Sequence, residues 1–160
     1  MLAKKDLAKS LMMIGLALGV AAGGWAAEHA HEGHGAAELT LNDGKKWTTD
    51  ESLRKGMGNI RAAMAKSLHP IHEGKLSAAE YDALARKLEG EVGYIVANCR
   101  LDQDADAQLH GVLAQLSEGI DQMKGADKAA NRQDGAVKVI RALDAYGKHF
   151  DHPGWKSLEH

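Results

Sequence analysis

The sequence contains few of the residues that fix a fold through covalent links or rigid backbone. Its 160 residues include one cysteine, two prolines and 4% aromatic residues. A single cysteine excludes an internal disulfide. In an oxidising compartment the Cys99 thiol would be buried, bound to a metal, or paired with a second copy of the chain, which leaves a homodimer open. The abundance of alanine, leucine, glutamate and lysine favours helices.

An excess of basic charge is also lacking. Without residues 1–26, 17 basic and 21 acidic residues remain. A mildly acidic chain argues against nucleic acid as a partner, because nucleic acid requires a basic face. The sequence has no Ser-His-Asp arrangement, no phosphate-binding glycine loop and no paired Glu-x-x-His motifs. We therefore expect a protein that is not an enzyme.

The first 26 residues have the pattern of a signal peptide. Lys4, Lys5 and Lys9 precede an apolar run over residues 11–22, which is shorter than the ~20 residues of a membrane span. Gly24 and Ala26 then provide small residues at the two positions before the cleavage site that a signal peptidase recognises. The pattern predicts export to the periplasm and cleavage after Ala26. A retained membrane anchor is the alternative.

Residues 27–46 carry glycine, histidine and small residues without an apolar period, which predicts a flexible arm. Cleavage after Ala26 would make His29 the third residue of the mature chain. A free amine, two amide nitrogens and a third-position imidazole form the planar nitrogen set that Cu(II) and Ni(II) favour. His31 and His34 add further imidazoles. The alternative is a polar spacer whose histidines bind nothing.

The rest of the chain, residues 47–160, contains four segments with apolar residues at helical spacing. The predicted helices run from Thr49 to Leu68, from Ser77 to Cys99, from Asp104 to Lys124 and from Arg132 to Phe150. Pro70 is expected to stop the first helix. The short loops between these helices favour antiparallel neighbours. The sequence therefore predicts an all-α, up-down-up-down antiparallel four-helix bundle.

This topology gathers possible metal ligands at one end of the bundle, which we call the Cys pole. Its candidate ligands are Cys99, His110, His149, His152 and Met57. A set of thiolate, thioether and imidazole ligands suits Cu(I). The same set of ligands indicates zinc or haem iron less specifically. Each residue also has an ordinary alternative, such as core packing for Met57 or a helix cap for His152.

Weaker candidates lie elsewhere in the chain. His69 and His72, with Glu73 adjacent, could hold a metal at the opposite end, although a solvated loop is the simpler interpretation. Glu91 falls on the apolar stripe of the second helix and could pair with His110 or extend to water at the edge of the stripe.

Two resemblances add to these observations. The first resemblance is carried by three stretches: the run from Trp47 through Met57, LSAAEYDALARKLEGEVGYIVANCRLDQDADAQLH, and AVKVIRALDAYGKHFDHPGW. They resemble poorly characterised proteobacterial exported proteins, some of them labelled DnrO-like. That resemblance implies export and a helical bundle. The chain is also similar, more weakly, to the periplasmic four-helix b-type cytochrome, in which Met57 and His149 would correspond to the haem ligands. The absence of Cys-x-x-Cys-His excludes covalently attached haem.

The sequence favours a periplasmic metal-binding protein, with copper binding, handling or resistance as its role. Its ion would be Cu(I) or Cu(II), and a metal-efflux or copper-resistance system would be its partner. A b-type cytochrome with haem b is the first alternative. The second is a structural or partner-binding accessory bundle.

We predict that export removes residues 1–26, because Gly24 and Ala26 satisfy the small-residue requirement of a signal peptidase. The intact mass of the protein recovered after expression of the whole chain should correspond to residues 27–160. A mass that still includes Met1 or Leu2 in membrane-associated protein would instead indicate a retained anchor.

Overall fold

The computed structural model describes residues 38–127 and 130–158, and this part of the chain is an all-α four-helix bundle. Its helices are α1 (Glu51–His72), α2 (Ala78–Asn98), α3 (Gln103–Met123) and α4 (Arg132–His149). Within these ranges no helix combines the length and apolarity that a membrane span requires. The predicted signal peptide and residues 27–37 of the arm lie outside the described residues.

Side-chain caps determine where three of the helices begin. The Asp50 carboxylate accepts a hydrogen bond from Leu53 N at the start of α1. Ser77 and Glu80 form a reciprocal capping box at the start of α2, as their spacing predicts. The Asn131 side chain accepts from Gln133 N at the start of α4. Each cap satisfies a backbone N–H that has no partner inside its helix.

The prediction that Pro70 stops α1 is wrong, because the helix continues to His72. Proline removes one backbone donor, but it lies in the last turn of this helix. The next residue, Ile71, is buried in the core, and this burial offsets the lost hydrogen bond. The helix ends just beyond, where Gly74 adopts a positive φ of 62°.

The interior of the bundle is apolar throughout the described ranges, where no polar or charged residue is buried. The apolar stripe predicted for α1 is buried, with Leu53, Met57, Ile60 and Met64 all fully inaccessible. Contacts join α1 to α2, α2 to α3, α3 to α4 and α4 back to α1. The described interior contains ionisable groups such as the Tyr81 and Tyr146 hydroxyls, whose pKa values burial raises, so the charged residues of this part lie at the ends and on the surface.

Hydrogen bonds at one end of the bundle join segments that are distant in sequence. Trp47, just before α1, exchanges backbone hydrogen bonds with the end of α4: its N–H donates to His149 O and its carbonyl accepts from Asp151 N, both at 2.8 Å. Arg100 N, just after α2, donates to the Asp50 carboxylate at 2.6 Å. The start of α1 is therefore joined to the ends of both α2 and α4.

Residues 38–46, the described part of the predicted arm, contact the bundle, and the rest of the arm lies outside the described residues. Thr40 N donates to the side-chain oxygen of Gln108 on α3 at 2.8 Å, and the Trp47 indole N–H donates to Thr40 O at 2.6 Å. Leu39 packs against the apolar core. We call residues 38–47 the strap. Its contacts involve side chains distant in sequence, so a search for helical periodicity does not detect them.

The glycines at the α3–α4 contact allow a close approach of the two backbones. A Cβ atom added at Gly119 would lie 2.7 Å from Gly135 O, which is closer than real Cβ atoms approach a carbonyl oxygen. A Cβ added at Gly93 of α2 would meet nothing within 4 Å. Substitution of Gly119 by alanine therefore tests the role of this glycine in helix packing, whereas the same substitution at Gly93 tests only the cost of glycine in backbone entropy.

We expect Gly119→Ala to lower the free energy of unfolding by about 1–3 kcal/mol, because the helices must move apart. The matched control Gly93→Ala should raise it by about 0.5–1 kcal/mol, because alanine favours a helix. Urea denaturation of both variants measures these changes. Equal effects at the two positions would contradict the close approach.

Candidate metal site

A cavity of about 350 Å³ lies between the end of α2 and the first half of α3. Cys99 and His110, two of the predicted ligands, both line it. The Asp106 and Arg100 side chains supply its other polar groups, and apolar residues including Val96 form the remaining wall. Val96 is 67% exposed, so the cavity opens to the surface. The connection between α2 and α3 thus brings one sulfur and one imidazole to a shared space.

The Cys99 thiol is partly buried and hydrogen bonded to the Asp50 carboxylate. Burial, together with the negative charge of Asp50, raises the pKa of Cys99 to about 12. The thiol therefore keeps its proton at neutral pH and is a poor nucleophile in this state. A metal ion would have to displace this proton in order to bind the sulfur.

Asp50 connects the candidate site to the start of α1. Its carboxylate accepts hydrogen bonds from Leu53 N at 2.7 Å and from Arg100 N at 2.6 Å, in addition to the bond with Cys99. Burial acts to raise the pKa of Asp50, but these hydrogen bonds and the nearby Arg54 charge outweigh it, so the pKa is lowered. Asp50 is ionised at neutral pH and holds the α2–α3 connection against α1.

His110 is oriented so that one ring nitrogen remains available. Its Nδ1 lies 2.9 Å from Asp106 O, one turn earlier on α3. A carbonyl oxygen only accepts hydrogen bonds, so Nδ1 carries the proton and the neutral ring has its lone pair on Nε2. Metal-binding histidines commonly donate their other N–H to a carbonyl or carboxylate in this way. The His110 side chain is 71% exposed and therefore accessible to an ion.

The other predicted ligands of the Cys pole do not line this cavity. Met57 is fully buried in the apolar core. His149 Nδ1 lies 2.8 Å from Ala145 O, and His152 Nδ1 lies 3.0 Å from the Tyr146 hydroxyl oxygen. Within the described ranges, no group of three or more His, Cys, Asp or Glu side chains could hold a metal ion. The expectation of five donors around one ion is therefore not supported.

The end of α4 forms an aromatic cluster instead. The rings of Tyr146, His152 and Trp155 contact one another, and a Cβ at Gly147 would clash with the Trp155 ring nitrogen. Burial lowers the pKa of His152, with a further contribution from the Arg54 charge, so its ring is neutral at pH 7. These contacts give His152 a packing role. The absence of a side chain at Gly147 was the signal that sequence reasoning missed.

The weaker candidates have partners other than those predicted. Glu91, which could pair with His110 or extend to water, accepts a hydrogen bond from Asn59 Nδ2 at 3.0 Å. His69 Nε2 lies 3.1 Å from the Glu73 carboxylate on the surface, and His72 is exposed at the same end of α1. His29, His31 and His34 lie outside the described residues, and their metal binding stays a prediction.

Asp50 and Asp106 are not among the predicted site residues, and sequence reasoning missed the bond between Asp50 and Cys99. The i,i+4 spacing of Asp106 and His110 is the signal that could have indicated their contact. In comparisons with known proteins, no protein-family model, no curated protein and no solved structure matches the chain. The functional argument therefore depends on the geometry of the site.

We expect native Cys99 to react with iodoacetamide at pH 8–9 much more slowly than the same thiol in denaturant, because its raised pKa suppresses the thiolate. Since a raised pKa keeps the proton bound, the rate should increase as pH rises towards 12. Asp50→Asn should accelerate labelling several-fold without reaching the denatured rate, because burial remains. Native labelling as fast as in denaturant would contradict this account.

Proposed function

We propose that this chain is an exported metal-binding protein that handles copper, with Cys99 and His110 as ligands on the bundle. The observation that carries the proposal is the single cavity lined by both side chains. Sulfur and imidazole donors suit Cu(I), and the carboxylates of Asp50 and Asp106 place negative charge near the incoming cation. The same proposal places the protein in the periplasm, beside a metal-efflux or copper-resistance system.

The choice of copper over zinc is supported by the number of donors. Structural zinc sites are almost always four-coordinate. Cys99 and His110 are the two donors of the proposed cavity site, and the Asp106 carboxylate, whose side chain lies 3.4 Å from His110 Nδ1, adds negative charge beside them. A soft thiolate site with few ligands agrees better with Cu(I) than with structural zinc.

The N-terminal arm would provide a second mode of binding. If processing leaves Ala27 at the N-terminus, the amine, two amide nitrogens and the His29 imidazole could bind Cu(II) in a plane. Such a site takes the oxidised ion, whereas the Cys99 thiolate takes the reduced ion. The two sites together would let one protein bind copper in both oxidation states.

The haem alternative receives no support from the site geometry. Met57 packs within the apolar core with no exposed surface, and neither Met57 nor His149 lines the α2–α3 cavity. A haem would have to displace core side chains to reach the Met57 sulfur, which is costly in a close-packed interior. We therefore do not propose haem as the cofactor.

The proposal is tested by titrating the whole chain, as processed by the cell, with Cu(I) in the presence of a competing chelator under anaerobic reducing conditions. Cys99→Ala and His110→Ala should each weaken binding by at least about tenfold, because each removes a ligand. His72→Ala, which removes an exposed histidine at the other end of α1, is the matched control and should bind like the parent. The affinity should also rise with pH, since binding releases the Cys99 proton.

Two other outcomes would overturn the cavity site. Parent-like Cu(I) binding by both variants would show that the ion lies elsewhere. If Cu(II) binding were then lost in His29→Ala, the arm alone would be the binding site. No copper binding at all would leave the structural or partner-binding bundle as the function.

A further inference from the structure

We propose that the segment after α4, residues 151–158, is a pH-sensitive clasp that stays closed on the bundle while His152 is neutral and opens when His152 takes up a proton. We call this segment the clasp. It is separate from the candidate metal site, because His152 does not line the cavity between α2 and α3.

The clasp is held closed by contacts with α1 and α4. Arg61 Nε on α1 donates a hydrogen bond to Lys156 O. Leu158 is 5% exposed and belongs to the apolar core. The Trp155 ring packs against Tyr146 on α4, with 4.8 Å between the ring centroids. The clasp contains a turn but no helix or strand, so its closed position depends on these contacts.

The fit of Trp155 against α4 is close but leaves one polar group unsatisfied. The ring occupies the space beside Gly147, where a Cβ atom would clash with it. Among the described residues, the buried Trp155 indole N–H has no hydrogen-bond partner. A buried donor without an acceptor lowers the stability of the closed clasp, because the same N–H binds water when it is exposed. The closed clasp is therefore sensitive to a further cost at its base.

His152 lies at the base of the clasp, where its neutral form serves as a hydrogen-bond acceptor. The Tyr146 hydroxyl oxygen lies 3.0 Å from His152 Nδ1. Burial raises the pKa of Tyr146, so this fully buried hydroxyl keeps its proton and needs an acceptor. Neutral His152 accepts at Nδ1, whereas the protonated ring has N–H donors on both nitrogens. Proton uptake by His152 would therefore leave the Tyr146 O–H without its acceptor.

The cations around His152 oppose its protonation. Burial lowers the pKa of His152, and the Arg54 guanidinium on α1 lowers it further. Two more cations lie beside the clasp: Arg61 donates to its backbone, and Lys46 Nζ on the strap donates to Gly147 O at 2.6 Å. A proton on His152 would therefore add to the positive charge of α1 and of the strap.

The acidic groups on the neighbouring elements do not offset this effect. Three of them act on the Tyr146 hydroxyl: Asp151 in the clasp, Asp50 before α1 and the Cys99 thiol at the end of α2. The balance at His152 is still a pKa below its ordinary value of 6.5, which applies when the clasp is open. Because the closed clasp binds the proton less tightly than the open clasp, the closed form loses stability as the pH falls below this value.

The experiment compares the whole chain with His152→Asn by NMR hydrogen exchange at pH 7.5 and pH 5, after correction for the intrinsic pH dependence of exchange. In the parent, protection of the Trp155 amide, which donates to His152 O, should fall at least about fivefold at the lower pH. Asparagine provides an acceptor near the position of Nδ1 and does not titrate, so protection in His152→Asn should change by less than about twofold. His72→Asn, which removes an exposed histidine at the other end of α1, is the matched control and should behave like the parent.

Equal protection of the Trp155 amide at both pH values in the parent would overturn the proposal. An equal loss in the parent and in His152→Asn would also overturn it, because a group other than His152 would then control the clasp. None of these measurements requires a metal ion, so they test the clasp independently of the proposed function.

A second measurement decides the outcome if His152→Asn leaves the clasp open at both pH values. The NMR titration of His152 in the parent should then have a midpoint below 6.5 that coincides with the change in the Trp155 indole signal. Two different midpoints, or a His152 midpoint at or above 6.5, would overturn the proposal.

Discussion

The site depends on the carboxylate of Asp50, which makes three hydrogen bonds at the junction of α1 with the α2–α3 connection. It caps α1 through Leu53 N, accepts from Arg100 N and accepts from the Cys99 thiol. Cys99 ends α2 and His110 lies in the second turn of α3, so holding the connection between them fixes their relative placement.

The same interaction sets the chemistry of the thiol. The negative charge of Asp50 adds to burial in keeping Cys99 protonated, so the thiol is a poor nucleophile at neutral pH. A thiophilic cation can still displace the proton because it binds the thiolate directly.

The sequence predicted the helices and their buried faces well, because a 3.6-residue period and capping residues are local properties. The Leu53, Met57 and Ile60 stripe and the Ser77 cap are as predicted. Pro70 was misjudged because the burial of Ile71 is a tertiary effect. The candidate site was predicted only in part. The predicted topology placed Cys99 and His110 near each other. The placement of Met57, His149 and His152 depended on helix rotation and on contacts with the strap, and no local sequence pattern records either of these.

The most direct test of the central claim is X-ray absorption at the copper edge of the Cu(I)-loaded whole chain. If Cys99 and His110 bind one ion, the spectrum will show a sulfur scatterer at thiolate distance together with imidazole scattering, and Cys99→Ala will remove the sulfur contribution. A copper environment made only of nitrogen and oxygen in the parent protein would contradict the account, because the ion would then not be bound by the cavity between α2 and α3.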